Sequence, residues 1–230
     1  NVEMANGGSI STTGIVRLAV TGDVTQDTSL APVLVPSITA GQLGISATGD
    51  VDLQGDNAAG TLAISAGGSV DFNNTIGLTI DAVSAQGPFP ATSGVTGDGN
   101  VTITVVDSAA ATDDLTVNSG VTVQSTSGNI ELTVGDDVVI NGNLTAPSGT
   151  VTINVDGAAS DPDTGTGGTI DIDSASTVTT SGGAFLNGGD DNDVFNFAPQ
   201  TTTTFDVDGN PPVIGDAGVP PGDTMNLDLT

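Results

Sequence analysis

The chain has 230 residues and carries 28 acidic residues against one cation, Arg17, for a formal net charge of −27. This charge excludes binding to nucleic-acid phosphates and disfavours anionic membrane surfaces, because no cations are available to displace the counterions. The absence of His and Cys excludes nucleophilic catalysis of the Ser–His or Cys–His kind, and 33 Gly with almost no Glu or Lys argue against a helical fold.

The remaining composition suits an all-β protein. The apolar content is 36%, drawn mainly from Val, Ile, Leu and Ala, so a core can form. No apolar run is long enough to span a membrane, and no signal peptide opens the sequence. Because the sequence begins and stops in mid-pattern, we expect a segment of a longer protein.

Residues 1–30 predict a degenerate strand unit. Gly14, Val16, Leu18 and Val20 alternate with other residues, which is typical of a strand with one buried face. Arg17 is expected on the polar face, as a local salt-bridge partner. Residues 31–40 contain Pro32 and Pro36, which cannot donate to a central ladder, so we expect a loop or a corner there.

The clearest signal is a repeat across residues 41–72. GQLGISATGDVDL is followed by GTLAISAGGSVDF, and the corresponding residues Leu43 and Leu62 are 19 positions apart. Each half alternates apolar and polar residues and contains a short Gly-rich turn. Short strands and turns repeated at a fixed period near 20 predict a stacked β-solenoid.

The pattern continues to about residue 182, with two further loops. Residues 87–100 are rich in Pro and Gly, and residues 158–168 carry Asp161 and Asp163, so both stretches are expected to leave the rungs. Between and after them, strands led by Gly128, Gly149 and Gly168 are spaced by 21 and 19 residues. We therefore assign residues 1–182 to solenoid rungs of about 19–21 residues.

The pattern changes after Ser181. Residues 183–230 hold four of the six Phe and a cluster of Pro. They are interpreted as terminal rungs capping the coil or as a joint to a following module, and the strand-like residues 225–229 favour the joint.

The units SATGDVDL, SAGGSVDF and TVGDDVVI, within residues 7–180, resemble filamentous-haemagglutinin-like repeats of large secreted bacterial surface proteins. The resemblance implies a right-handed parallel β-helix that serves as an extracellular adhesin or matrix fibre. It also implies contacts with neighbouring modules of the same protein, self-association, or binding to carbohydrate or a cell surface.

Residues 188–196, GGDDNDVFN, are similar to the calcium nonapeptide of haemolysin-type secreted proteins, with Asp191 in place of the fourth-position Gly. The copy is single, whereas that family uses tandem copies. Calcium is the candidate cofactor, since it prefers carboxylate and carbonyl oxygens in tight turns. The candidate ligands are Asp190, Asp191, Asp193, Asp206 and Asp208.

Other readings stay open at the level of sequence. Asp113, Asp114, Asp136 and Asp137 form a second acidic group that we interpret as turn residues capping the backbone locally. Stacked Thr pairs such as Thr102 and Thr104 could form an ice-binding face, and parallel β-helices also include polysaccharide-degrading enzymes. Because the chain lacks His, Trp and Tyr, we expect no enzyme. The first alternative to a structural role is a carbohydrate- or host-surface-binding module, with loops 87–100 and 158–168 as its contacts.

Overall fold

A computed structural model describes residues 1–109, 112–156, 167–189, 192–209 and 223–229. In these ranges the chain contains strands and turns but no helix, and hence no helix that could cross a membrane. The strands are β1 (Val2–Met4), β2 (Ser9–Ser11), β3 (Ile15–Val20), β4 (Val24–Gln26), β5 (Ser37–Ala47), β6 (Val51–Ala66), β7 (Val70–Asn74), β8 (Leu78–Ile80), β9 (Ala82–Val83), β10 (Thr92–Ser93), β11 (Val95–Gly97), β12 (Val101–Val105), β13 (Leu115–Val117), β14 (Thr122–Ser125), β15 (Ile130–Val134), β16 (Val138–Ile140), β17 (Asn143–Ala146), β18 (Val151–Val155), β19 (Thr169–Ile172), β20 (Val178–Thr180), β21 (Ala184–Asn187), β22 (Val194–Phe197), β23 (Phe205–Asp208) and β24 (Thr224–Leu227).

The strands pair in parallel between successive rungs, so the fold is an all-β parallel β-helix, as the sequence predicts. Stack 1 contains β1, β4, the start of β6, β7, β12, β15, β18, β21 and β23, one strand from each of nine rungs. Stack 2 contains β2, the start of β5, the middle of β6, β8, β13, β16, β19, β22 and β24. Stack 3 contains β3, the ends of β5 and β6, β11, β14, β17 and β20. The right hand of the coil stays a prediction, supported by the rule for parallel crossovers.

The core lies inside the coil and follows the alternation read from the sequence. In β12 and β15, Val101, Ile103, Ile130 and Leu132 are at most 1% exposed, while the residues between them face outward. Equivalent positions pair in register, for example Ile103 with Leu132. Each rung therefore places its Val, Ile and Leu on top of those of the rung before, which excludes water from one continuous core.

Buried amides complete the core where the first four rungs turn from stack 1 to stack 2. Asn57 is fully buried; its Oδ1 accepts from Gln26 Nε2 at 2.8 Å and from Ile38 N at 3.0 Å. Its Nδ2 donates to Leu53 O at 2.9 Å. In the next rung, Asn74 Oδ1 accepts from the N–H of Ala59, which belongs to the same rung as Asn57, at 2.8 Å. These side chains supply hydrogen bonds to backbone groups that the turn removes from the ladder.

Several predicted boundaries differ from the structure. Residues 37–40 belong to β5, so the loop predicted at 31–40 ends with Pro36, whose carbonyl oxygen accepts from Asp56 N. Within the predicted loop 87–100, β10 pairs with β9, and β11 is part of stack 3 with Val95 fully buried. Residues 158–166 lie outside the described residues.

The described part of the tail continues the coil after Ser181. β21 pairs with β18 and β23 pairs with β21, both in parallel. β22 pairs with β19 in the same way and buries Phe195 and Phe197 in the core. The rings of Phe197 and Phe205 lie 4.9 Å apart between centroids. The described parts of residues 183–230 are thus two further rungs.

Candidate functional site

The turn from stack 3 to stack 1 carries a column of short polar side chains, which we call the polar ladder: Asn1, Asp23, Asp50, Asn100 and Asn129. Each side-chain oxygen accepts the backbone N–H of the equivalent residue one rung later, at 2.8–3.1 Å. Asp50, for example, accepts from Ser69, 19 residues further on. These turn residues therefore cap the backbone of the neighbouring rung.

A second line of carboxylates follows the turn from stack 1 to stack 2. We call it the acidic corner: Asp107, Asp113, Asp114, Asp136, Asp137, Asp156, Asp193 and Asp223. Asp113, Asp156 and Asp193 are 1–3% exposed, although charged side chains are rarely so buried. Eight of the described carboxylates thus lie along this corner, in the last five rungs.

Most of the hydrogen bonds at the acidic corner also join one rung to the next. Asp136 Oδ2 accepts from Asp113 N at 2.7 Å, and Asp137 Oδ1 accepts from Thr169 N at 2.8 Å. Asp113 Oδ2 accepts from Ser108 N at 2.8 Å within its own rung. The sequence-based reading of Asp113 and Asp136 as local caps is therefore right for Asp113 and incomplete for Asp136, whose partner lies in the rung before.

The electrostatic cost of this arrangement appears at Asp114. Burial raises the pKa of Asp114 most, and the neighbouring charges of Asp137 and Asp113 raise it further, while a hydrogen bond from Asp137 N opposes them. On the outer face of stack 1, burial likewise raises the pKa of Asp71, and the charges of Asp52 and Glu131 add to the effect. Both clusters stabilise a bound proton relative to water.

The three predicted calcium ligands that the structure describes lie in two successive rungs. Asp193 precedes β22, and its Oδ1 accepts from Gly168 N at 2.9 Å. Asp206 and Asp208 are exposed on the outer face of β23, in the following rung. Asp190 and Asp191 lie outside the described residues. Among the residues that the structure does describe, no group of three or more carboxylates is arranged to hold a metal ion.

The Gly pair of the nonapeptide-like segment has a packing role. A Cβ on Gly188 would collide with the carboxylate of Asp193, and one on Gly189 would collide with the carbonyl oxygen of Asp156. Asp156 itself has a φ of 48°, a left-handed conformation that Asp tolerates better than most residues. Close packing within the rung at Gly188, and against the preceding rung at Gly189, is thus a sufficient reason for these two glycines.

Residues 82–93 leave the fourth rung and fold back over the outer face of stack 3; we call this segment the strap. Its Phe89 and Val83 are 1–3% exposed and pack on Ala63, and a Cβ on Gly44 would come within 2.6 Å of the Phe89 ring. Gly44 and Ala63 occupy adjacent rungs in one register column, below Arg17. Small residues in this column leave room for the strap.

Arg17 fastens the strap to the first rung. Its Nε donates to Ser84 O at 2.8 Å, its Nη1 to Gln86 Oε1 at 2.7 Å and its Nη2 to Ser84 Oγ at 3.0 Å. The predicted salt bridge is therefore wrong: the guanidinium binds neutral acceptors. The planar fork of an Arg suits this arrangement, since its donors engage two residues at once.

The columns of outward side chains are mixed in composition. Thr102 and Thr152 share a column of stack 1, but Glu131 stands between them and Phe185 follows Thr152. A uniform Thr face of the kind expected for ice binding is therefore interrupted.

Phe185 lines a cavity of about 330 Å³ together with Thr180, Gly182, Thr202, Thr204 and Asp206. The sequence reasoning missed this site, because the alternation in Ala184–Asn187 does not reveal which of the adjacent apolar residues, Phe185 or Leu186, faces outward.

No family model, curated protein or solved structure matches this chain. The likeness to filamentous-haemagglutinin-like repeats accordingly stays a prediction based on the quoted motifs.

Proposed function

We propose that this chain is a structural segment of an extracellular adhesin or surface fibre of a bacterium, stabilised by calcium and able to associate end to end. The observation that supports the proposal is a continuous coil of nine rungs whose first and last described rungs leave their core edges open. Val2 is 41% exposed in the first rung, and Met225 and Leu227 are 52% and 46% exposed in the last.

Such edges have unpaired backbone groups beside an apolar surface, so they are suited to accept another parallel rung. The added rung can belong to the same polypeptide or to a second molecule, and either arrangement extends a fibre. The net charge of −27 opposes close approach of two such coils. A divalent cation would reduce that repulsion, which is why calcium belongs to the proposal.

The chemistry of the acidic corner is consistent with such a role. Carboxylate oxygens are the ligands that calcium prefers, and Asp113, Asp156 and Asp193 are buried along this corner. Burial first, and then the charges of Asp137 and Asp113, raise the pKa of Asp114, so the charge of this carboxylate is unfavourable there and a bound cation would stabilise it.

Light scattering tests the proposal by measuring the solution mass of the chain with millimolar calcium and with a chelator. We expect the mass to rise steeply with calcium. A monomer under both conditions would remove the support for self-association.

Calcium binding itself is tested separately, by the shift of the melting temperature on adding calcium. Asp193→Asn is the sharper variant, because an amide oxygen can still accept the hydrogen bond from Gly168 while the charge is lost. We expect this variant to reduce the calcium-induced shift, as would Asp193→Ala, and an undiminished shift in both would exclude Asp193 as a ligand.

A carbohydrate- or host-surface-binding module is the second candidate. Its support is the strap and the cavity beside Phe185, both of which make the outer surface of the coil uneven. We expect no catalytic activity.

A further inference from the structure

We propose that the cavity beside Phe185 is a binding site for a neutral pyranose sugar. This inference goes beyond the structural role proposed above and does not depend on self-association or on calcium.

The first observation is the placement of the ring. All six Phe residues are described, and Phe185 is the one whose side chain lies on the outer face of the rungs, since its neighbours Ala184 and Leu186 point into the core. Phe72, Phe195 and Phe197 are core residues, Phe205 packs partly against the core, and Phe89 is covered in the strap. An outward aromatic ring on a surface rich in Thr, Asp, Ser and Asn offers the flat apolar face on which the C–H groups of a pyranose pack.

The second observation is that the walls of the cavity are held in place before any ligand arrives. Thr180 Oγ1 donates to Gly149 O at 2.5 Å and accepts from Gly182 N at 3.2 Å, which fixes the turn at residues 180–183. Gly183 has a φ of 99°, and a Cβ there would lie 3.9 Å from the Phe185 ring, so the ring packs against this turn. A preorganised wall reduces the entropy lost on binding.

The third observation is the set of polar groups beside the ring. Asp206 is the register partner of Phe185 in the next rung, with its carboxylate exposed, and Thr202 and Thr204 are exposed on the approach to the same strand. A carboxylate accepts from two sugar hydroxyls, and Thr hydroxyls can both donate and accept. A ring face beside such groups matches a molecule with one apolar face and a hydroxylated rim.

Charge selects among sugars. The cavity contains one carboxylate and no cation, and the whole chain has a net charge of −27. Uronic acids and sulfated or phosphorylated sugars are therefore repelled, while neutral pyranoses are accepted. A single carboxylate with hydroxyls is also too few oxygen ligands for calcium.

The test is saturation-transfer NMR with methyl glycosides of glucose, galactose, mannose and N-acetylglucosamine, and with methyl glucuronoside as the charged comparison. We expect at least one neutral glycoside to receive saturation through its ring C–H protons, with a dissociation constant on the order of 1 mM for a site of this size. The glucuronoside should receive none.

Two variants and two matched controls locate the binding. Phe185→Ala should weaken it about tenfold or abolish it, since the stacking face is lost. Asp206→Asn should weaken it less and make the glucuronoside a better ligand. The controls lie in the same outward column as Phe185 but several rungs away from it. Asp71→Asn removes one negative charge, as Asp206→Asn does, and Thr102→Ala removes an outward side chain. Both controls should leave sugar binding unchanged. The proposal is overturned if none of the four neutral glycosides binds, or if Phe185→Ala binds as the parent does.

Discussion

Replacing Asn57 by Ala should destabilise the coil far more than replacing Asn73 by Ala. Both residues are Asn, and they lie in neighbouring rungs, the third and the fourth. Asn57 is fully buried, and its Oδ1 is the acceptor for Ile38 N and for Gln26 Nε2. The Ala variant leaves these two donors buried without that acceptor, at about 1–3 kcal/mol each, so we expect a loss of about 2–6 kcal/mol in the free energy of unfolding. Asn73 donates one hydrogen bond from the outer face, to Gly55 O, and its removal should cost about 0.5–1.5 kcal/mol.

Urea denaturation followed by far-ultraviolet circular dichroism measures both values, because the chain has no Trp or Tyr to report by fluorescence. A double-mutant cycle sharpens the test. In a Gln26→Ala background one of the two donors is already gone, so Asn57→Ala should cost less there than in the parent. Equal losses for Asn57→Ala and Asn73→Ala would refute the reasoning that buried amides hold this turn together.

Two further predictions concern the strap and the outer acidic column. Gly44→Val should displace the strap, because the new Cβ would lie 2.6 Å from Phe89 and 2.8 Å from Val83. Hydrogen exchange of the backbone amides in residues 82–93 should then become faster. Ser46→Val on the same strand serves as the control, and unchanged exchange in Gly44→Val would contradict the packing described. Asp71→Asn should stabilise the fold at pH 7 and lose this advantage as the pH falls towards the unfolded value of 3.8. The sign follows because a raised pKa in the folded state means that ionisation on raising the pH costs stability. Melting temperatures measured from pH 3 to pH 7 test this, and a gain that grows towards acid pH would show that the sign is wrong.

The strand positions and the core could be predicted from the sequence because they depend on local alternation. In Val151–Val155, for example, every second residue is apolar, and those residues are the buried ones. Parallel stacking followed from the repeat at residues 41–72, since similar units can bury equivalent faces only by lying on one another.

The contacts between rungs could not be predicted in the same way. Asp137 and Thr169 are joined across 32 residues, and the sequence does not give the register that brings them together; only for pairs such as Asp50 and Ser69 does the 19-residue repeat give it. The irregular lengths of the turns hide it. The partners of Arg17 were missed for the same reason, because the strap approaches from 67 residues away and offers neutral acceptors.

The residues of the candidate site could likewise be predicted from the sequence only in part. The nonapeptide-like segment drew attention to Asp193, Asp206 and Asp208, but their separation over two rungs depends on how the tail joins the coil. Phe185 drew none, because a Phe in a strand is most often a core residue. Only its position opposite Leu186 in the pleat reveals that it faces outward.

The strap also sets the order in which the coil can become complete. Synthesis proceeds from the N-terminus, so the first rung emerges long before Ser84 and Gln86, the acceptors that hold Arg17. Until the fourth rung has formed and the strap has folded back, the outer face of the first three rungs lacks its cover, and these rungs hold together through their sheet pairing and core alone. Long-range contacts of this kind form late and slow the folding of parallel sheets. The rung that holds Arg17 therefore acquires its final contacts only after the residues up to Gln86 have been made.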